Sequence, residues 1–127
     1  DLAEEVGADL FIRLSVSRSE DDTDIYGITG VYEDEFFIPE FGSPELADLL
    51  TREVAIAASN RALGLTAATA DSILKQLTLP AAEISVGWLS NPQEEYLLQE
   101  DAYQEKLADG IIAAIGKAVE ELKRLSE

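Results

Sequence analysis

Two side chains that commonly carry chemistry are absent from this sequence: it has no His and no Cys. Without His there is no side chain that titrates near neutral pH, and the commonest metal ligand is gone. Without Cys there is no thiolate and no disulfide, so redox compartment leaves no trace. A Ser-His-Asp triad, a Cys-His dyad and a His-ligated zinc site are therefore excluded within the chain. Hydroxyls, carboxylates and a few cations remain. A nucleophile at Ser15 or Ser85 would need Lys75 as its base. Asp22, Asp24, Gly27 and Glu33 fall at positions 1, 3, 6 and 12 of a calcium loop. Position 5 is Tyr26, and a strand-like run precedes the loop where a helix belongs, so a solvated acidic loop is expected. Phe36, Phe37 and Phe41, with Tyr32 nearby, could form an exposed patch; in a Pro-containing loop they are expected to tuck onto the core.

The elements that position these residues come from one domain, residues 1–127. At 46% hydrophobic, the chain has enough apolar surface to bury a core and too much to be a disordered tail. No apolar run reaches the length of a membrane span. Acidic residues number 26 against 9 basic, a net charge of −17, which opposes nucleic acid and anionic membranes. The chain has no Met, so processing or excision from a longer polypeptide is expected, and Asp1–Gly7 lacks a signal-peptide pattern.

Asp1–Gly7 reads as a helix tail capped by Gly7, and Ala8–Val16 as a buried strand. A charged loop leads to Ile25–Tyr32, a strand bent or bulged at its glycines. Ser43-Pro44-Glu45 opens a helix to about Asn60, with Ser43 as cap and Leu46, Leu49, Leu50, Val54 and Ala57 as its apolar stripe. Ser72–Leu77 and Ala82–Val86 are further strand candidates. Asn91-Pro92 opens a second helix, with Glu94 placed for a capping box. Ala102–Leu125 is a long helix carrying Leu107, Ile111, Ile115, Ala118, Leu122 and Leu125. The alternation predicts an α/β fold: a mostly parallel or mixed central sheet with helices on both faces.

Three segments then carry a resemblance. They are residues 7–15 (GADLFIRLS), 80–92 (PAAEISVGWLSNP) and 103–111 (YQEKLADGI), with Ser43-Pro44-Glu45-Leu46-Ala47 between them. In that order and spacing the chain resembles the zinc-dependent N-acetylmuramoyl-L-alanine amidases, which cleave peptidoglycan. The run Gly87-Trp88-Leu89-Ser90-Asn91-Pro92 with Glu94 and Glu95 is its most specific part.

The resemblance implies an amidase-like fold in which the family's zinc His falls at Ser15 and its catalytic Glu at Ser85. A Ser hydroxyl is a poor zinc ligand and cannot collect a proton from zinc-bound water. Glu83, two residues before Ser85 on the same strand, would share its face about 7 Å away. The family's opening strand–helix–strand, with a further zinc His and Glu, has no counterpart in the sequence. The expectation is a degenerate, non-catalytic module that holds no zinc and is associated with peptidoglycan fragments or an envelope protein. Its groove is expected at the carboxyl ends of the strands, near Ser15, Ser17, Glu83, Ser85 and Asn91. An extracytoplasmic location is implied by the resemblance. An exposed sheet edge would offer a homodimer contact. The alternatives are a weak amidase working through Glu83 and an acid of the charged loop, and a truncated or designed scaffold without activity of its own. Trp88 is expected to fill a strand-to-loop corner.

Overall fold

The computed structural model describes residues 10–34 and 37–126; the expected helix tail with its Gly7 cap, the start of the first strand and the Phe36 ring lie outside them. The elements run β1 (Phe11–Ser17), β2 (Ile28–Tyr32), α1 (Ser43–Ala58), β3 (Ala62–Ala67), a 3-10 helix (Ile73–Gln76), β4 (Ala81–Trp88), α2 (Pro92–Leu98) and α3 (Asp101–Leu125). The four-stranded sheet has the order β1-β4-β2-β3. β1 lies parallel to β4 and β2 parallel to β3, whereas β2 and β4 are antiparallel, so the sheet is mixed as expected.

β4 is buried along almost its whole length, as a central strand between two covered faces must be. On one face α1 places Leu46, Leu50 and Val54 against Ile28, Ala82 and Ile84, and α3 closes over α1 through Tyr103, Leu107, Ala114 and Ala118. On the other face the 3-10 helix sets Leu74 and Leu77 against Ala81, with Phe11 and Val31 alongside. Helices thus cover both faces, but unequally.

Several local expectations change. Ser72–Leu77 is not a strand. The Ser72 hydroxyl accepts from the Leu74 N–H at 3.2 Å, and Leu74 and Leu77, three apart, are both buried. That spacing suits a 3-10 turn, whose side chains eclipse at i and i+3. β3 was not anticipated, because in ALGLTA only Thr66 is of the β-branched and aromatic types that mark strands. The break in β2 also sits differently. β2 begins after Gly27 (φ 122°), and the register shifts where β3 passes Gly64 (φ 143°). The α1 cap is Gly42, whose N–H donates to the Glu45 carboxylate at 2.7 Å. Ser43 lies inside the helix, and its hydroxyl accepts from the Ala81 N–H at 2.9 Å, fastening α1 to the start of β4. Ala57 is only partly buried; Ala47, Ala55 and Ala58 complete the stripe instead.

Gly110 sets the distance between α3 and α1. A Cβ there would stand 2.6 Å from Val54 Cα, a backbone atom that no rotamer change can move. Gly110→Ala gains about 1 kcal/mol of helix propensity. Overpacking costs roughly 1–3 kcal/mol. We expect a net loss of stability, read as a lower urea midpoint with an unchanged slope.

Candidate functional site

The register of β1 against β4 sets Arg13 beside Glu83 and Ser15 beside Ser85. Their side chains meet on the face away from α1. The Ser15 hydroxyl donates to Glu83 Oε2 at 3.1 Å, and Arg13 Nε lies 3.5 Å from Glu83 Oε1. Ser17 and Ser85 share a hydrogen bond of 2.5 Å, and Ser85 Oγ also lies 3.3 Å from the Gly87 carbonyl. If Ser85 donates to that carbonyl, Ser17 donates to Ser85. The four expected groove residues on the two strands are therefore brought together, with their polar atoms turned on one another. Arg13 was missed, although its two-residue spacing from Ser15 on a strand was a legible signal.

Asn91 makes its bonds elsewhere. Its Oδ1 accepts from the Gln93 and Glu94 N–H groups at 2.9 and 3.3 Å, capping α2. Its Nδ2 donates to the carbonyls of Asp24 and Ile25, tying down the acidic loop. Glu94 forms no capping box, because its carboxylate is drawn inward. Only 3% exposed, it accepts from the Gly27 N–H at 2.9 Å and from Asn60 Nδ2 at 3.0 Å. Asn60 Nδ2 is also 2.9 Å from the Tyr103 hydroxyl. This cluster joins β2, α1, α2 and α3.

The other candidates separate. Asp22 Oδ1 accepts from the Asp24 N–H in an exposed turn, whereas Glu33 is 2% exposed beyond the far end of β2. The intervening strand prevents a calcium loop. Lys75 pairs with Asp34 and stands 4.0 Å from Glu33 Oε1, which places its ammonium among carboxylates rather than at a serine. Its hydrogen bond holds the Asp34 carboxyl below the ordinary value. Phe41 is buried, Tyr32 is partly buried against the core and Phe37 is 82% exposed, so the aromatic loop forms no single patch among the described residues. Trp88 is partly buried, and its indole N–H is enclosed without an acceptor among the described residues.

Residues 1–117 match the family model described as N-acetylmuramoyl-L-alanine amidase. The chain belongs to the N-acetylmuramoyl-L-alanine amidase family. This amidase-family chain superposes on the amidase catalytic domain CwlV of Paenibacillus polymyxa with a TM-score of 0.80 at 24% identity, covering 94% of this chain and 62% of that one. An amidase of Clostridium difficile 630 gives 0.83 at 24% identity and the same coverages. The CwlD amidase of Clostridioides difficile, solved in complex with the GerS lipoprotein, gives 0.79 at 25% identity, covering 90% of this chain and 56% of that one. The chain thus spans about three-fifths of the length of these relatives. No curated protein sequence matches it.

Zinc, which the family implies, does not fit the donors that the described residues of this amidase-family chain present. Among the described residues no three His, Cys, Asp or Glu side chains are grouped to hold a metal. On the β1–β4 face the one carboxylate, Glu83, is occupied by Ser15 and Arg13.

Two measurements probe the Glu94 cluster. Glu94→Gln turns an amide N–H₂ toward a donor and leaves one buried donor unsatisfied, so a loss of about 1–3 kcal/mol is expected in urea unfolding. Burial raises the Tyr103 pKa above the ordinary tyrosine value of 10.0, against the lowering effect of Asn60. The fold then holds the Tyr103 proton more tightly than the unfolded chain does. The stability this contributes is complete below the unfolded value and is lost as pH rises through the folded one. Absorbance at alkaline pH should show a late-titrating tyrosine that Tyr103→Phe removes.

Proposed function

We propose that this chain is a non-catalytic member of the amidase family that recognises a peptidoglycan fragment in the cell envelope. One observation carries the reading: the β1–β4 face is a row of hydroxyls, one guanidinium and one carboxylate, mutually bonded, where hydrolysis needs a metal-activated water and a free base. The resemblance puts the zinc His at Ser15 and the catalytic Glu at Ser85. A hydrogen bond tying Glu83 to Ser15 argues against Glu83 as a substitute base.

The same row suits recognition. Ser and Arg donors with a carboxylate acceptor can meet the hydroxyls and amides of a glycopeptide once their own bonds exchange for ligand bonds. Of the polar row, Arg13 and Glu83 border, with Thr66 and Thr69, a cavity of about 460 Å³. Membership of the family supports an association with the envelope and peptidoglycan. Among the described residues no helix is long and apolar enough to cross a membrane. The CwlD–GerS complex supports an envelope protein as a further partner.

The test is a titration of the ¹⁵N-labelled chain with muramyl dipeptide. Shifts confined to the amides of Arg13, Ser15, Ser17, Glu83 and Ser85, with the ligand recovered intact, are expected. Arg13→Ala should weaken binding by about tenfold, the loss of one charge-assisted hydrogen bond. No shift at those residues contradicts the assignment.

A further inference from the structure

We infer that the cavity where α1 ends and α2 begins binds a small organic cation, a primary ammonium on a short alkyl chain, with the Glu94 carboxylate as its counter-ion. The cavity holds about 210 Å³ and is bordered by Tyr26, Ala58, Gln93, Glu94, Leu97 and Tyr103. No residue of the β1–β4 polar row lines it. The inference therefore stands or falls apart from peptidoglycan recognition.

Charge comes first. Glu94 is 3% exposed, and a carboxylate so deeply buried is ordinarily paired with a cation. Its two donors, the Gly27 N–H and Asn60 Nδ2, are both neutral. None of the ion pairs among the described residues includes it. Arg61, the residue after Asn60, is turned to Tyr26 instead. Its Nε donates to the Tyr26 carbonyl at 3.0 Å, and its guanidinium lies 3.8 Å from the Tyr26 ring centroid. Two helix ends also meet here. Glu94 stands in the first turn of α2, whose N-terminus carries a partial positive charge. α1 ends at Ala58 with no basic residue in its last turn, and its C-terminus carries a partial negative charge. Each end is worth about half a unit, so the two offset one another and the Glu94 charge remains.

Acceptors with spare capacity come next. A carboxylate offers about four acceptor positions, and Gly27 and Asn60 take two of them. The Tyr103 hydroxyl accepts from Asn60 Nδ2 at 2.9 Å and keeps a second lone pair. Glu94 Oε2 and the Tyr103 oxygen both bond to that one nitrogen, so they stand side by side. An ammonium donates and accepts nothing, which suits such a pair. A quaternary ammonium has no N–H to give them.

Size selects an organic cation over a bare ion. The volume is several times the ~30 Å³ share of one water. Ala58, Leu97 and the Tyr26 ring add apolar surface to the lining. An alkyl chain removes that surface from water, and a bare ion does not.

The experiment is a titration of the ¹⁵N-labelled chain with n-butylammonium chloride, at ionic strength held constant with tetramethylammonium chloride. Saturable shifts are expected at the Gly27 amide and the Asn60 side-chain amide, with the Ser15 and Ser85 amides unmoved. n-Butanol has the same number of heavy atoms and no charge, and should bind at least about tenfold more weakly. Gln93 is exposed, so circular dichroism should show Gln93→Lys folded as before. That variant brings its own ammonium to the cavity and should weaken n-butylammonium binding by at least about tenfold. The inference is overturned if the Gly27 and Asn60 signals show no saturable shift, or if n-butanol binds equally well. It is also overturned if Gln93→Lys leaves binding unchanged, or if KCl reproduces the shifts at equal concentration, because a bare cation then occupies the site.

Discussion

Parallel pairing between β1 and β4 joins segments far apart in the chain, setting Phe11 against Ala81 and Ser15 against Ser85. Parallel strands need a long crossover, and here it contains β2, α1, β3 and the 3-10 helix. The pairing holds that crossover in place at both ends. Ser43 bonds to the Ala81 N–H where β4 begins, and Asn91 and Glu94 hold the acidic loop and the start of β2 where β4 ends. A one-residue slip would exchange the faces of β1, burying Arg13 and Ser15 and turning Ile12 outward. The polar row and the apolar core are thus two consequences of one register.

The two faces impose different chemistry. Towards α1 the sheet is apolar and closely approached, with Gly30 so near Thr51 that a Cβ would stand 2.3 Å from its hydroxyl. Away from α1, beside the Leu74 and Leu77 cluster, β1 and β4 carry Arg13, Ser15, Ser17, Glu83 and Ser85, which bond to one another. A polar row of this kind is stable without a ligand, whereas a zinc site brings donors together whose repulsion the metal relieves. Beyond the end of β4, Glu94 supplies a second polar anchor, a buried carboxylate that accepts from two donors as burial requires.

Much of this was legible in the residues. The β1 and β4 motifs, the Pro-initiated helices and the long terminal helix stand close to where their patterns put them, and the family follows from the same segments. Spacing along β1 and β4 was enough to bring Ser15, Ser17, Glu83 and Ser85 together. What escaped depended on tertiary context. β3 has weak strand propensity and is held as an edge by β2. The 3-10 helix replaced a strand because burial of Leu74 and Leu77 favoured a three-residue spacing. Glu94 left its local capping role because Gly27 and Asn60, remote in sequence, supply better-buried donors.

The most direct measurement is zinc content and muropeptide hydrolysis on one purified sample, dialysed with and without added zinc. A module whose β1–β4 face holds only self-paired serines, Glu83 and Arg13 retains substoichiometric zinc and leaves the amide bond intact in both samples. Stoichiometric zinc with zinc-dependent cleavage would contradict the account, and would mean that carboxylates of this chain assemble a metal centre away from Ser15 and Ser85.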